Sequence, residues 1–201
     1  MEQLPSLHLA RILRGGGEVS GEGEVSRLEL VRTSPPPDSV QIIEPIALAA
    51  PATWRATVTH VGGDDFWMSG RIEGRAVMEC SRCLEPVTVD VNASLASLLR
   101  YNPRVEVPHV EYGEDDQEVL VFGQPLLQLT AVLSEAFALQ LPEIVLHDPN
   151  CKGLCATCGV NLNMLAAGEC AEDRADCPHR PRASSEPRET PFAALKGFIK
   201  D

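Results

Sequence analysis

The sequence predicts an α+β fold, with an antiparallel β-sheet or partly open barrel in the first half, one main helix, and a Cys-rich zinc knuckle joining the two halves. Three observations lead to this. Apolar and polar residues alternate from 52 to about 99, a leucine-rich stretch with helical spacing follows, and two cysteine pairs have two intervening residues each. The predicted domains are a β-rich part, residues 1–150, and a zinc knuckle with a flexible tail, residues 151–201.

Composition excludes several classes of protein. Of the 201 residues, 44% are hydrophobic and 23% are charged, as in ordinary globular domains. No apolar run is long enough for a spanning helix, and charged residues such as Arg11 and Arg14 interrupt the first segment, unlike a secretory signal. We therefore expect no membrane contact and no export through an ordinary secretory signal.

Short strands are predicted for the first 50 residues. One strand is expected near Leu7–Leu13, and a brief one at 28–31. The glycine-rich stretch 15–24 between them is typical of a flexible loop. An apolar run at 40–50 contains Pro45, which restricts it to an edge strand.

The strongest pattern is an alternation with period two, which predicts three successive antiparallel strands. Residues 62–65, Gly-Gly-Asp-Asp, form a hairpin-type turn between the first two strands. The pair Cys80 and Cys83 lies at the corner that joins the second strand to the third.

After the strands, residues 102–118 are polar and acidic and predict a loop or mobile insertion. A helix is expected over 125–141, because Pro125 suits its first turn and Pro142 ends it. Its buried stripe comprises Leu126, Leu129, Leu133 and Phe137. Residues 168–190 have the composition of a disordered segment, and an apolar patch that we expect to dock elsewhere follows at 191–199.

The net charge of −12 is unevenly distributed. Residues 105–151 contain nine acids and no Lys or Arg. An acidic surface repels phosphate backbones and attracts basic partners. This favours a basic protein as a partner over electrostatic coating of nucleic acid.

The two cysteine pairs predict a structural zinc site. An odd number of seven cysteines without an export signal disfavours a disulfide framework. Tight turns in both pairs can bring four sulfurs to one Zn²⁺ ion, and the predicted ligands are Cys80, Cys83, Cys155 and Cys158. Gly153 and Gly159 suit the second turn, and the positive charge of Arg82 offsets the negative charge of the thiolates.

Other ligand sets stay open. Cys151, Cys155, Cys158 and Cys170 form one rival set, and Cys151, Cys170, Cys177 and His179 form a possible second site. His147 and three further histidines stand singly in the sequence, and we interpret them as ordinary surface or core residues.

Two segments resemble the signatures of a known family. Glu79-Cys-Ser-Arg-Cys-Leu-Glu-Pro-Val87 resembles the Cys-x-Arg-Cys-Leu signature of the YceD family, the bacterial large ribosomal RNA subunit accumulation proteins. Residues 152–163, Lys-Gly-Leu-Cys-Ala-Thr-Cys-Gly-Val-Asn-Leu-Asn, are similar to the second signature of that family. The resemblance extends over about residues 40–200.

The resemblance implies a cytoplasmic, non-catalytic accessory factor for 23S ribosomal RNA accumulation and large-subunit biogenesis. It implies zinc held by the four paired cysteines, and a ribosomal precursor particle as partner, through a basic ribosomal protein or 23S RNA. No small-molecule substrate is expected. Asn161 and Asn163 can cap backbone groups or bond a nearby sulfur, and with Arg82 they are candidate RNA or partner contacts.

Two alternative functions remain. A thiol-redox protein would use a cysteine pair, although such a pair usually opens a helix. An RNA-binding module would use Arg71, Arg75, Arg82, Arg100 and Arg104, with Trp54, Phe66 and Trp67 for stacking. Ion pairs between the arginines and acids of neighbouring strands are the simpler interpretation of that pattern.

Overall fold

The structure, a computed structural model, describes residues 4–32, 42–113 and 116–164. The chain divides into two compact units. The first comprises the described residues of Met1–Ser81 and Glu85–His147, and the second those of Arg82–Leu84 and Asp148–Asp201. Cys170, Cys177, His179 and the segments 168–190 and 191–199 lie outside the described residues.

Ten strands and two helices follow one another in the described part of the first unit. In chain order they are β1 (Ser6–His8), α1 (Ile12–Gly15), β2 (Glu18–Val25), β3 (Leu28–Arg32), β4 (Ile42–Ile46), β5 (Ala52–Gly62), β6 (Asp65–Glu79), β7 (Pro86–Tyr101), β8 (His109–Tyr112), β9 (Glu118–Phe122), β10 (Leu126–Gln128) and α2 (Thr130–Leu139). The protein is mostly β-structure with one main helix, which agrees with the expected class.

A six-stranded sheet in the order β2-β5-β6-β7-β9-β8 forms the centre of this unit. Strands β5, β6 and β7 are antiparallel neighbours, so the predicted run of three strands is confirmed. In this register Trp54 lies opposite Ile72, and Ile72 lies opposite Ala93. All three are buried on the face that forms the core, as the period-two alternation requires.

The sheet is mixed rather than wholly antiparallel, because β9 pairs parallel to β7. The expected loop at 102–118 is wrong in part, since it contains β8 and the first residue of β9. Val119, Val121 and Phe122 of β9 are buried. Their burial stabilises this strand although the residues before it are polar. Strand β8, His-Val-Glu-Tyr, alternates polar and apolar residues over four positions only, and all four are exposed, so the alternation is a weak signal for a strand.

The glycine-rich stretch 15–24 was expected to be a loop, and most of it is strand β2, paired with β5. The glycines have a packing role there. A Cβ atom at Gly23 would lie 3.3 Å from Nε1 of Trp54, and one at Gly21 would lie 2.5 Å from the Leu7 side chain. Glycine in this strand therefore leaves space for neighbouring core side chains. Composition alone predicts that such a glycine-rich stretch is a loop.

The main helix is shorter than the predicted 125–141. Residues Leu126–Gln128 form β10, which pairs with β1, and α2 then runs over Thr130–Leu139. Three residues of the predicted stripe are buried, Leu129, Leu133 and Phe137, whereas Leu126 is exposed. The buried Ser134 hydroxyl accepts a hydrogen bond from the Glu29 amide, which joins α2 to β3.

Among the described residues, no helix has the length and apolar character that crossing a membrane requires.

Candidate metal centre

The first cysteine pair lies in the tight turn between β6 and β7, where the alternation predicted a corner. The Cys80 amide donates to the Glu85 carbonyl at 2.8 Å and closes the turn. The Ser81 amide donates to the Val145 carbonyl at 2.7 Å, and the Val145 amide donates back to the Ser81 hydroxyl at 3.1 Å. These bonds fix the turn against the segment that follows α2.

The second cysteine pair repeats the backbone conformation of the first. The Cys155 amide donates to the Val160 carbonyl at 2.9 Å, again five residues ahead. The residue after the second cysteine has a positive φ in both turns, 63° at Leu84 and 73° at Gly159. Gly153 has a φ of 77°, so both glycines singled out in the sequence have the left-handed conformation that favours glycine.

Four side chains bring their ligand atoms together around the first turn. The sulfurs of Cys80, Cys83 and Cys151 and a ring nitrogen of His147 all lie within 4.8 Å of one another. Cys80, Cys83 and Cys151 are 0%, 4% and 3% exposed, whereas His147 is exposed. Sulfur ligands at about 2.3 Å from a tetrahedral zinc stand about 3.8 Å apart, so this group has the compactness that a metal ion requires.

The chemistry of the donors also fits a metal ion. Three cysteines and one histidine form one of the common closed ligand sets of structural zinc. With three thiolates, a neutral imidazole and Zn²⁺, the group carries a net charge of −1. These four residues are therefore able to hold a metal.

Sequence reasoning found two of these four residues. Cys80 and Cys83 belong to the group, whereas the buried Cys155 and the half-buried Cys158 are not among its members. The ligand set of four paired cysteines stays a prediction. None of the five described cysteines is in a disulfide.

His147 was interpreted as an ordinary histidine, and Cys151 was considered only in rival ligand sets. The signal that could have found them together is their separation of three intervening residues, within the range common between zinc ligands. The possible second site did include a histidine, but it was His179, and His147 was treated as a single residue.

Asn163 and Arg82 hold the segment that carries Cys151. The Asn163 side chain accepts from the Lys152 amide at 2.8 Å, and its Nδ2 donates to the sulfur of Cys151 at 3.4 Å. Nδ2 also donates to Oδ1 of Asn161 at 2.7 Å. The Arg82 guanidinium donates to the Cys151 carbonyl at 2.9 Å. Asn163 thus contacts a backbone amide and a sulfur, and contacts of Arg82, Asn161 and Asn163 with RNA or a partner stay a prediction.

The residues considered for RNA stacking are mostly unavailable. Trp54 and Phe66 are buried in the core, and only Trp67 is exposed. Arg71 has an acidic partner and donates to Glu73 at 3.1 Å. This pair lies within β6, whereas the interpretation from the sequence was of ion pairs between neighbouring strands.

Arg100 forms a second surface ion pair, with Asp65 at 2.7 Å. The hydrogen bonds from Arg100 hold the pKa of Asp65 below its ordinary value, and those same bonds raise the pKa of Arg100. On β8, the hydrogen bond from His109 to Glu111 at 3.0 Å raises the pKa of the imidazole. In each case the hydrogen bond to the partner stabilises the charged form of the group, and the pKa shift reflects this.

The family profile described as large ribosomal RNA subunit accumulation protein YceD matches residues 68–199. The matched range contains both cysteine turns and all four residues of the metal group. It covers well over half of the chain.

Individual relatives agree with this match. An uncharacterized protein of Mycobacterium tuberculosis is 32% identical over 98 residues, 47% of this chain and 44% of that protein. A Zea mays protein, the chloroplastic large ribosomal RNA subunit accumulation protein YCED homolog 1, is 25% identical over 126 residues, 51% of this chain and 43% of its own length. The chain thus spans less than half the length of these curated relatives. No solved structure matches it.

The profile match and the two cysteine signatures within it agree, and the chain belongs to the YceD family of large ribosomal RNA subunit accumulation proteins.

Proposed function

We propose that this protein is a non-catalytic, zinc-binding accessory factor for 23S ribosomal RNA accumulation and large-subunit biogenesis in the cytoplasm. The family match over residues 68–199 carries the proposal, because it includes the two cysteine signatures and the metal group. The partner is a ribosomal precursor particle, contacted through a basic ribosomal protein or through 23S RNA.

The nature of the ligand group supports a stabilising metal rather than a catalytic one. Four protein ligands complete a tetrahedral zinc shell and leave no position for water or substrate, whereas catalytic zinc keeps one position open. When bound, zinc would supply cross-linking of the ligands and no reactive group. Three cysteines and His147 would bind the metal ion, and Asn163 would orient the sulfur of Cys151.

The proposed ligands are Cys80, Cys83, His147 and Cys151, and the alternative set replaces the last two with Cys155 and Cys158. The similar conformation of the two turns favours the alternative, and the proximity of the ligand atoms favours the first set. Cys80 and Cys83 belong to both sets.

Metal analysis of single variants separates the two sets. We expect about one zinc per chain in the purified protein, and loss of zinc in Cys80→Ser and Cys83→Ser. His147→Ala and Cys151→Ser should lose zinc if the proposed set is right, and Cys155→Ser and Cys158→Ser if the alternative is right. His109→Ala, an exposed histidine outside the group, serves as the control and should keep its zinc. Full zinc content in Cys80→Ser would exclude both sets.

The role in RNA accumulation is tested in cells that lack the protein. Deletion should lower the ratio of 23S to 16S ribosomal RNA, the wild-type gene should restore it, and the gene for a Cys80→Ser, Cys83→Ser double variant should not. The gene for His8→Ala, an exposed histidine on β1 outside the metal group and outside β8, should restore it. An unchanged ratio in the deletion strain would refute the proposed function even if the protein binds zinc.

A further inference from the structure

Strand β8 presents an open edge of the six-stranded sheet. It is the last strand in the sheet order and pairs only with β9 among the described strands. All four of its residues are exposed. An edge strand directs unpaired backbone N–H and C=O groups outward, and these can pair with a strand from another chain.

Large apolar side chains accompany this open edge. Val110 and Tyr112 are 51% and 70% exposed, and Val107, just before the strand, is 74% exposed. Val110 and Tyr112 share one face because they are two residues apart, and His109 and Glu111 share the other. Exposed apolar groups beside unpaired backbone groups are the two elements of recognition by strand addition: the backbone supplies affinity and the side chains supply selectivity.

The charge around β8 defines the partner. Described acids at Glu106, Glu111, Asp116 and Glu118 surround the strand, and no Lys or Arg occurs between Arg104 and Lys152. A second copy of β8 would bring a second set of the same acids to this edge, and like charges disfavour strand pairing. RNA would be repelled by the same charges. A basic polypeptide is attracted by them.

We infer that the edge of β8 binds an extended, basic segment of a partner protein, which adds a seventh strand to the sheet. Backbone groups of the segment pair with β8, its basic side chains lie near Glu111 and Glu118, and its apolar side chains pack on Val110 and Tyr112. The inference rests on the proposed function, because proteins that bind ribosomal RNA carry the basic side chains that neutralise phosphate.

The test measures binding of a 12-residue peptide of alternating lysine and valine to the full zinc-loaded chain, by fluorescence anisotropy of a labelled peptide. The same peptide with every backbone amide N-methylated keeps its charge but has no backbone N–H groups left to donate to a strand edge. We expect the methylated peptide to bind at least tenfold more weakly. Equal binding of the two peptides would show attraction by charge alone and would overturn the inference.

A pair of charge-matched variants locates the site. The Val110→Lys, Tyr112→Lys variant should bind the peptide at least tenfold more weakly than wild type. The control is Val61→Lys, Leu139→Lys, which adds the same two charges at exposed apolar positions elsewhere and should retain most of the affinity. Equal losses in both variants would place the peptide elsewhere and reject β8. Circular dichroism and zinc content verify that both variants are folded.

Other occupants are distinguished in the same system. Concentration-dependent dimers that disappear in Val110→Lys, Tyr112→Lys would identify a second copy as the occupant and overturn the inference. A single-stranded RNA that competes with the peptide would identify nucleic acid as the occupant and would also overturn the inference.

In the deletion strain, failure of this inference is separable from failure of the proposed function. A Val110→Lys, Tyr112→Lys gene that fully restores the 23S to 16S ratio would reject β8 and leave the proposed function intact. Peptide binding at β8 together with an unchanged 23S to 16S ratio in the deletion strain would reject the proposed function and leave the binding edge intact.

Discussion

Replacing Asn163 with aspartate tests the metal group without removing a ligand. The Lys152 amide requires an acceptor, so Oδ1 of Asn163 faces it and Nδ2 faces the sulfur of Cys151 at 3.4 Å. Aspartate keeps the acceptor for Lys152, and an oxygen replaces the donor to sulfur. The substitution therefore removes one hydrogen bond to a thiolate and places a negative charge beside it, with almost no change in shape.

The expected loss of metal affinity follows from these two effects. Removing a group that hydrogen-bonds a metal ligand typically lowers affinity by about 10- to 100-fold, or about 1.4–2.7 kcal/mol. Two negative charges 3.4 Å apart repel by about 1 kcal/mol in a water-like dielectric, the appropriate limit for the exposed Asn163. The sum is about 2.4–3.7 kcal/mol, or a loss of roughly 50- to 500-fold. Asn163→Ala adds no charge and removes the hydrogen bond to Cys151, but it also removes the acceptor for the Lys152 amide.

Competition for zinc with a chromophoric chelator at fixed pH measures these affinities. Asn92→Asp on β7 is the matched control, because this residue is exposed and the substitution adds the same charge outside the metal group. It should bind zinc as wild type does. Equal affinities of Asn163→Asp and Asn92→Asp would refute the reasoning, and with it the placement of Cys151 among the ligands.

Three further outcomes follow from the fold. Gly70→Ala should lower the free energy of unfolding in urea by about 1–3 kcal/mol, the usual cost of overpacking. The added Cβ of residue 70 would lie 2.2 Å from the Arg55 carbonyl oxygen. Unchanged stability would contradict the β5–β6 register. Phe137→Ala should cost about 3–5 kcal/mol, since the ring is fully buried, and a loss below 1 kcal/mol would be inconsistent with its central position. Glu111→Gln should lower the pKa of His109 toward 6.5 in an NMR titration; in the wild type, the stabilisation from this pair is complete below the unfolded pKa and is lost as pH rises through the raised value.

The sequence predicted the parts of the fold in which burial follows a simple period. Strands β5 to β7 alternate between core and solvent, so their order, direction and connecting turns could be predicted. Strand β8 has no buried face, and Gly21 and Gly23 of β2 leave room for Leu7 and Trp54. Periodicity is a weak signal for such strands, because β8 alternates over four residues only and glycines interrupt the pattern of β2.

Of the four residues in the metal group, only the two on one turn, Cys80 and Cys83, could be predicted as ligands from the sequence. Cys80 and Cys83 lie on one turn, and the distance between their sulfurs follows from their spacing. The two other ligand atoms come from a segment 64 or more residues later in the chain, and their approach depends on how the Val145 segment pairs with Ser81. Two backbone and side-chain hydrogen bonds of this kind leave no trace in composition or periodicity.

Because the cysteine turn lies at one end of the β6–β7 hairpin, we expect the two ends to respond differently to removal of the proposed zinc. At one end, Cys80 and Cys83 connect the strands, and their turn is closed by the bond from Cys80 to Glu85. At the other end, Arg100 of β7 bonds Asp65 of β6, and neither residue belongs to the metal group. Removal of zinc should release only the first end, since local opening involves the groups that lose their constraint.

Hydrogen exchange with and without a chelator measures this difference. After zinc removal, backbone amides of β6 and β7 near Glu79 and Val87 should exchange at least tenfold faster, whereas those near Trp67 and Leu98 should change little. Because Asp65 has a lowered pKa, its contribution to the second end is present above the unfolded value near 3.8 and is lost only as pH falls through the lower folded value. An exchange experiment near neutral pH therefore leaves that end intact. Uniform acceleration along the whole hairpin would contradict a local role for the metal and indicate that the entire sheet depends on it.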